Sequence, residues 1–106
     1  GTGEAGFEGD GGEAGAAQLH TPWGLAILNG RLLIVDSWNH CIRAVDLEGK
    51  GRGIIRTVAG TPRSPGFSGD GGPARNAKLQ DPKGVLVVAH IVYFTDGDWK
   101  NHRIRS

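Results

Sequence analysis

The sequence predicts an all-β protein built from tandem four-stranded antiparallel meanders, and three observations predict it. A nine-residue string, Gly6-Phe7-Glu8-Gly9-Asp10-Gly11-Gly12-Glu13-Ala14, returns as Gly66-Phe67-Ser68-Gly69-Asp70-Gly71-Gly72-Pro73-Ala74, with seven of nine positions identical at a spacing of 60. The apolar runs are all strand-sized and end on turn residues. The 19 glycines also have an order, because twelve lie in residues 1–18 and 60–78 and none falls inside the second, third or fourth predicted strand. A low-complexity linker has no reason to repeat an aromatic and an aspartate in fixed register, so the glycines punctuate a repeat.

The elements follow in order. In the first repeat, residues 1–59, a glycine-rich connection precedes strands at Gly24–Leu28, Leu32–Asp36, Cys41–Asp46 and Ile54–Ala59. Asn29-Gly30 between the first two is a strong hairpin signal, since both residues tolerate positive φ. Short connections at Ser37–His40 and Glu48–Gly53 make the pairing antiparallel throughout. In the second repeat, residues 60–106, the strands fall at Gly84–Ala89 and Ile91–Asp96, and a third begins near His102. Leu19, Pro22, Gly24 and Asp36 recur as Leu79, Pro82, Gly84 and Asp96. Asn39-His40-Cys41-Ile42-Arg43 recurs, after two extra residues, as Asn101-His102-Arg103-Ile104-Arg105.

Tandem four-stranded meanders are the unit of a β-propeller, in which each blade needs neighbours to bury its faces. About one and three-quarter blades are present, too few to close a ring. The chain is therefore expected to be a stretch of a longer propeller, with assembly from several copies as the lesser alternative. Cys41 is the only cysteine, which excludes an internal disulfide framework and a thiolate zinc site. The apolar runs are too short for membrane helices, and a soluble protein is expected, with no compartment indicated. Net charge is +1, with Glu4, Glu8, Asp10 and Glu13 in residues 1–30 and all 12 basic residues after them. That balance is too mild for a dedicated nucleic-acid binder.

The strings Pro22-x-Gly24 and Leu33-Ile34-Val35-Asp36-x-x-Asn39-His40-x-Ile42-Arg43, with their second copies at Pro82-x-Gly84, Tyr93-Phe94-Thr95-Asp96 and Asn101-His102-Arg103-Ile104-Arg105, resemble the NHL repeat family of β-propellers. The Gly-Phe-x-Gly-Asp-Gly-Gly-x-Ala string resembles the long inter-blade loop of one branch of that family. The resemblance implies a propeller that binds proteins, with two rivals: an enzyme of lyase or hydrolase type around a central metal, and an RNA-binding propeller. No clustered ligands for such a metal occur here, and the acidic first loop argues against RNA.

Strand direction places the inter-repeat loops and the second-to-third-strand turns on one rim of the disc. His20, Trp23, Trp38, His40, Trp99 and His102 fall there and are the expected contact residues, for a protein or small ligand. His90 is a further departure from the repeat. Asp36 and Asp96 lie a few residues before a histidine, as an acid/base pair would, but a feature repeated in each blade reads better as a turn-shaping hydrogen bond. Asn39 and Asn101 share that reading, with Ile42 and Ile104 in the core and Arg43 and Arg105 on a blade surface. Asp10 and Asp70 are expected to bond the amides of their own loops, and Phe7 and Phe67 to anchor those loops between blades. Calcium at these loops, or zinc, is the alternative to the expectation of no cofactor. Further blades or further copies are the expected partners that close the ring. Lys50, Arg52 and Arg56 make a basic, solvated hairpin at the opposite rim.

Overall fold

The computed structural model describes residues 1–62, 66 and 76–96, and the backbone of 103–105. Two antiparallel sheets form. The first has the order β1(Pro22–Leu28)-β2(Arg31–Asp36)-β3(Cys41–Asp46)-β4(Ile55–Ala59), and the second β5(Val85–Val88)-β6(Ile91–Asp96)-β7(Arg103–Arg105). Each is a meander of neighbouring strands, the arrangement of a propeller blade. Boundaries agree with the sequence reading within one residue, except that β1 begins two residues earlier, at Pro22, where it pairs with Asp36 ahead of a bulge. No described helix is long and apolar enough to cross a membrane.

Alternation along β2 and β3 gives blade one two different faces. Directly opposed residues share a face, so Ile34 opposite Arg43 and Leu32 opposite Val45 define one, and Leu33 opposite Ala44 and Val35 opposite Ile42 the other. On the first face Ala17, Ile34, Val45 and Ile55 are buried together, with Ala14, Leu19 and Leu32 against them. The opposite face meets blade two: Ile42 and Ala59 pack with Leu79 and Phe94, flanked by Val58, Val85 and Val92. Each of the Val, Leu, Ile and Phe side chains among them contributes about 1.5–3 kcal/mol when fully buried. At the inner end the two first strands nearly touch. A Cβ on Gly24 would lie 2.5 Å from the Lys83 carbonyl oxygen, so the residue must be glycine for the blades to sit this close.

The glycine-rich segment does more than turn a corner at the rim. Gly11 N–H donates to Ile55 O (2.7 Å), Ile55 N–H to Gly12 O (3.0 Å) and Ala14 N–H to Gly53 O (2.7 Å). Residues 11–14 thus run beside β4 and occupy the edge of the sheet that would otherwise offer unpaired backbone groups to another chain. The glycines are therefore not confined to one rim, as their sequence positions suggested. The hairpin at Glu48–Gly53 is likewise tied, by Gly53 N–H to Asp46 O (2.7 Å) and Ile54 N–H to Gly51 O (3.0 Å). Asp46 there pairs with Arg31 (3.0 Å) and Arg56 (3.9 Å), both half exposed.

The two hairpin turns differ in strain. Asn29 and Gly30 have φ of 48° and 74°, the expected pair for a two-residue turn. The corresponding turn of blade two places Ala89 and His90 at φ of 48° and 65°, a region uncommon for any residue but glycine and one that histidine enters more readily than alanine. Replacing Ala89-His90 with Asn-Gly is expected to stabilise the chain by about 1 kcal/mol through relief of that strain. The shift of the urea midpoint measures it, and an unchanged or lower midpoint contradicts it.

Candidate functional site

Two clusters collect the residues singled out from the sequence: one inside blade one, the other on the rim above the junction of the blades. The first is built on Asp36, at the end of β2 and fully buried. Its Oδ1 accepts the N–H of His20 (2.7 Å), and its Oδ2 accepts Asn39 Nδ2 (2.8 Å) and Arg43 Nη1 (3.3 Å). Asn39 also donates to the Gly6 carbonyl (2.7 Å). Blade two repeats the first contact, with Gln80 N–H on Asp96 Oδ1 at 2.8 Å. Both carboxylates tie the strand that enters the blade to its second-to-third-strand turn. Asp36 therefore has no lone oxygen facing solvent with which to act as an acid or base.

Arg43 is the main correction. It is not on a blade surface but is completely buried, on the face shared with Ile34 and Asp36. Its Nε and Nη2 donate to Asp10 Oδ1 (3.1 and 2.8 Å), and its Nη1 donates to the Gln18 carbonyl (2.5 Å) as well as to Asp36. The second Asp10 oxygen accepts Thr57 N–H (3.1 Å) and Thr57 Oγ1 (2.6 Å). Asp10 thus bonds β3 and β4 rather than the amides of its own loop, and a carboxylate already saturated by a guanidinium is a poor calcium ligand. Phe7 does anchor the loop, but on its own blade: its ring lies under the Arg43 guanidinium, 4.6 Å from the centroid. Ile42 is in the core as expected.

Cys41 sits in the same cluster, fully buried beside this network. Burial, and then the charges of Asp36 and Asp10, push its thiol up to about 12, against the opposing pull of Arg43 and a hydrogen bond with Thr57. Such a thiol is a packing group and not a nucleophile.

The rim cluster begins at a short 3-10 turn, Ser37–Asn39, whose end residue His40 adopts the left-handed conformation. That conformation turns the ring toward blade two, where its Nδ1 accepts the N–H of Asp81 (3.0 Å). Ser37 Oγ donates to Asp81 Oδ1 (2.5 Å), and Lys83 Nζ to Asp81 Oδ2 (2.9 Å). Partial burial raises the Asp81 pKa, but the bonds from Ser37 and Lys83 and the charge of Lys83 outweigh it and hold the carboxyl below its ordinary value. Above this bridge stand two large aromatic surfaces. Trp23, 61% exposed, carries the Lys83 ammonium 5.3 Å from its centroid, and Trp38, 57% exposed, meets His20 with centroids 5.1 Å apart.

Of the expected rim residues, His20, Trp23, Trp38 and His40 are brought to one edge of the blade junction. Trp99 and His102 lie outside the described residues, as do Phe67, Asp70 and Asn101 and the side chains of Ile104 and Arg105. Sequence reasoning missed Ser37, Asp81 and Lys83, which fasten the junction beneath the tryptophans. It also missed the Asp10–Arg43 pair, although a signal existed: the acidic residue of the glycine-rich string, Asp10 and Asp70, and the basic residue of the third strand, Arg43 and Arg105, are both present in each repeat. Among the described residues there is no group of three His, Cys, Asp or Glu side chains placed to hold a metal ion.

Residues 19–44 match the family model of the NHL repeat. Over those residues blade one is similar to an NHL repeat. The match runs from Leu19, where the chain enters the blade, to Ala44 in β3, and so includes Asp36, Asn39 and Arg43. No curated protein matches the chain. That match suggests a β-propeller scaffold for protein interaction, and the ion-paired interior of blade one fixes its loop to its strands.

Proposed function

We propose that the chain is a non-catalytic binding scaffold whose contact surface is the rim carrying Trp23, Trp38 and His20. One observation supports this most: two tryptophans remain mostly exposed at a junction whose polar groups, Ser37, His40, Asp81 and Lys83, already bond one another. Exposed aromatic side chains on a rigid base lose little entropy on contact and give large buried areas, the property of binding hot spots. A protein segment with an apolar or aromatic anchor suits this surface, because its fixed charges are internally neutralised.

The reading is tested with a displayed peptide library selected against the immobilised chain. Selected peptides are expected to lose at least about tenfold in affinity to Trp23→Ala or Trp38→Ala, equivalent to more than 1.4 kcal/mol. Circular dichroism should be unchanged, since both side chains are on the outside. Binders indifferent to both substitutions would remove the rim from consideration.

A further inference from the structure

The polar groups at the blade junction are committed to one another, and what they leave over is one-sided. Asp81 accepts from Ser37 and Lys83, and His40 Nδ1 accepts the Asp81 N–H. The two tryptophans differ. Their side chains meet the Lys83 ammonium and the His20 ring, and among the described residues neither indole N–H has an acceptor. Both leave from adjacent points of one strand end, because Pro22 pairs with Asp36 and Trp23 and Trp38 follow these by one and two residues. The rim therefore offers two flat apolar faces, each with a hydrogen-bond donor at its edge, and an indole has no acceptor to offer in return.

A neighbouring blade does not roof these positions. Lys83, the repeat equivalent of Trp23, keeps 41% of its side chain exposed with blade one packed beside its own blade. Trp38 is 57% exposed although Ser37 and His40, just before and after it, are already bonded to blade two.

Other modes of peptide recognition lack their means here. Strand addition at the outer edge is blocked, since residues 11–14 already lie along β4. An acidic or phosphorylated segment needs a cation, and Lys83 is held by Asp81 while Arg43 is buried between Asp10 and Asp36. A polyproline II segment meets the remaining chemistry. It has no internal hydrogen bonds, so its carbonyls are available as acceptors, and each proline adds an acceptor and no donor. Its conformation is fixed before contact, which lowers the entropy cost of binding. Taking the rim as the contact surface, we propose that its partner is a proline-rich segment in the polyproline II conformation. Prolyl rings lie on Trp23 and Trp38, and the segment's carbonyls accept the two indole N–H groups.

Calorimetric titration of the 106-residue chain with an uncharged polyproline of about ten residues, acetylated and amidated, tests this. Saturable binding is expected, and a flexible Gly-Ser peptide of equal length should bind at least about tenfold more weakly. Trp23→Phe and Trp38→Phe keep a ring and remove the N–H. Each should weaken polyproline binding about two- to tenfold, the range of one net hydrogen bond. Trp23→Ala and Trp38→Ala should weaken it further, and circular dichroism of every variant should match that of the parent chain. Polyproline binding unmoved by both Phe variants overturns the proposal, as does a single-stranded RNA that binds where polyproline does not. Absence of polyproline binding, with library-selected peptides that still depend on Trp23 and Trp38, overturns the proline assignment alone and leaves the rim as the contact surface. Selected peptides indifferent to both tryptophans overturn both.

Discussion

Arg43→Ala is expected to cost about 3–5 kcal/mol, the usual penalty for removing one partner of a buried ion pair. A chain this small has a total stability near the lower end of about 5–15 kcal/mol, so the variant should be largely unfolded in dilute urea. The cost has identifiable parts. Asp36, with none of its surface exposed, would keep only the His20 N–H and the Asn39 amide as partners. The Gln18 carbonyl would lose its donor, and Phe7 the cation above its ring. Arg43→Lys should recover only part of the loss, because one ammonium cannot reach Asp10, Asp36 and Gln18 in the directions a planar guanidinium does. Urea unfolding followed by tryptophan emission measures all three proteins. A change within about 0.5 kcal/mol, as for a surface residue, would contradict the buried network. Because Asp10 and Arg43 share one interaction, Asp10→Ala and Arg43→Ala together should cost less than their separate effects added.

This network explains why the glycine-rich string and the Asn-x-x-x-Arg string repeat together. The loop supplies Asp10 and Phe7, the turn supplies Asn39, and β3 supplies Arg43, so each is of little use without the others. The 3-10 turn at Ser37–Asn39 is the hinge of the arrangement. It places Asn39 inward on Gly6 and Asp36, and leaves Trp38 outward on the rim. Rigidity inside the blade and exposure at the rim are thus set by neighbouring residues of one turn.

The strands were legible because their signals are local: alternating apolar residues, an Asn-Gly hairpin, and a repeat that fixes the register. The structural use of Asp36 was legible for a related reason, since a feature present in both blades belongs to the blade. Arg43 was not. Its place depends on which face of β3 the glycine-rich loop covers, and that is decided by pairing between residues 11–14 and β4, some 40 positions apart in sequence. A lone arginine between isoleucine and alanine gives no local sign that two carboxylates will follow it into the interior. The Ser37, Asp81 and Lys83 bridge was invisible for the opposite reason. Thr21 stands at the repeat position of Asp81 and Trp23 at that of Lys83, so this contact is particular to one junction and leaves no periodic trace.

Alkaline pH should attack the same interior through Cys41. In the unfolded chain this thiol ionises near 9.0, and in the native blade only near 12, chiefly because it is buried and then because Asp36 and Asp10 oppose a further negative charge. Between those values the unfolded state binds fewer protons than the native one, so stability falls as pH rises, by about 1.4 kcal/mol per pH unit. Below pH 9 the contribution is present in full, and at neutral pH the thiol should react with reagents only when the blade opens. Cys41→Ala removes this dependence. Its stability, plotted against pH above 9, should decline less steeply than that of the wild type, even if a small cavity lowers the whole curve. Urea midpoints of the two proteins measured through this range decide the matter, and parallel curves would mean that the thiol does not stay protonated in the fold. Arginine keeps its charge throughout. The steepening is therefore expected to belong to the thiol rather than to loss of the Asp10–Arg43–Asp36 pairing, and it should be absent from Cys41→Ala while that pairing remains intact.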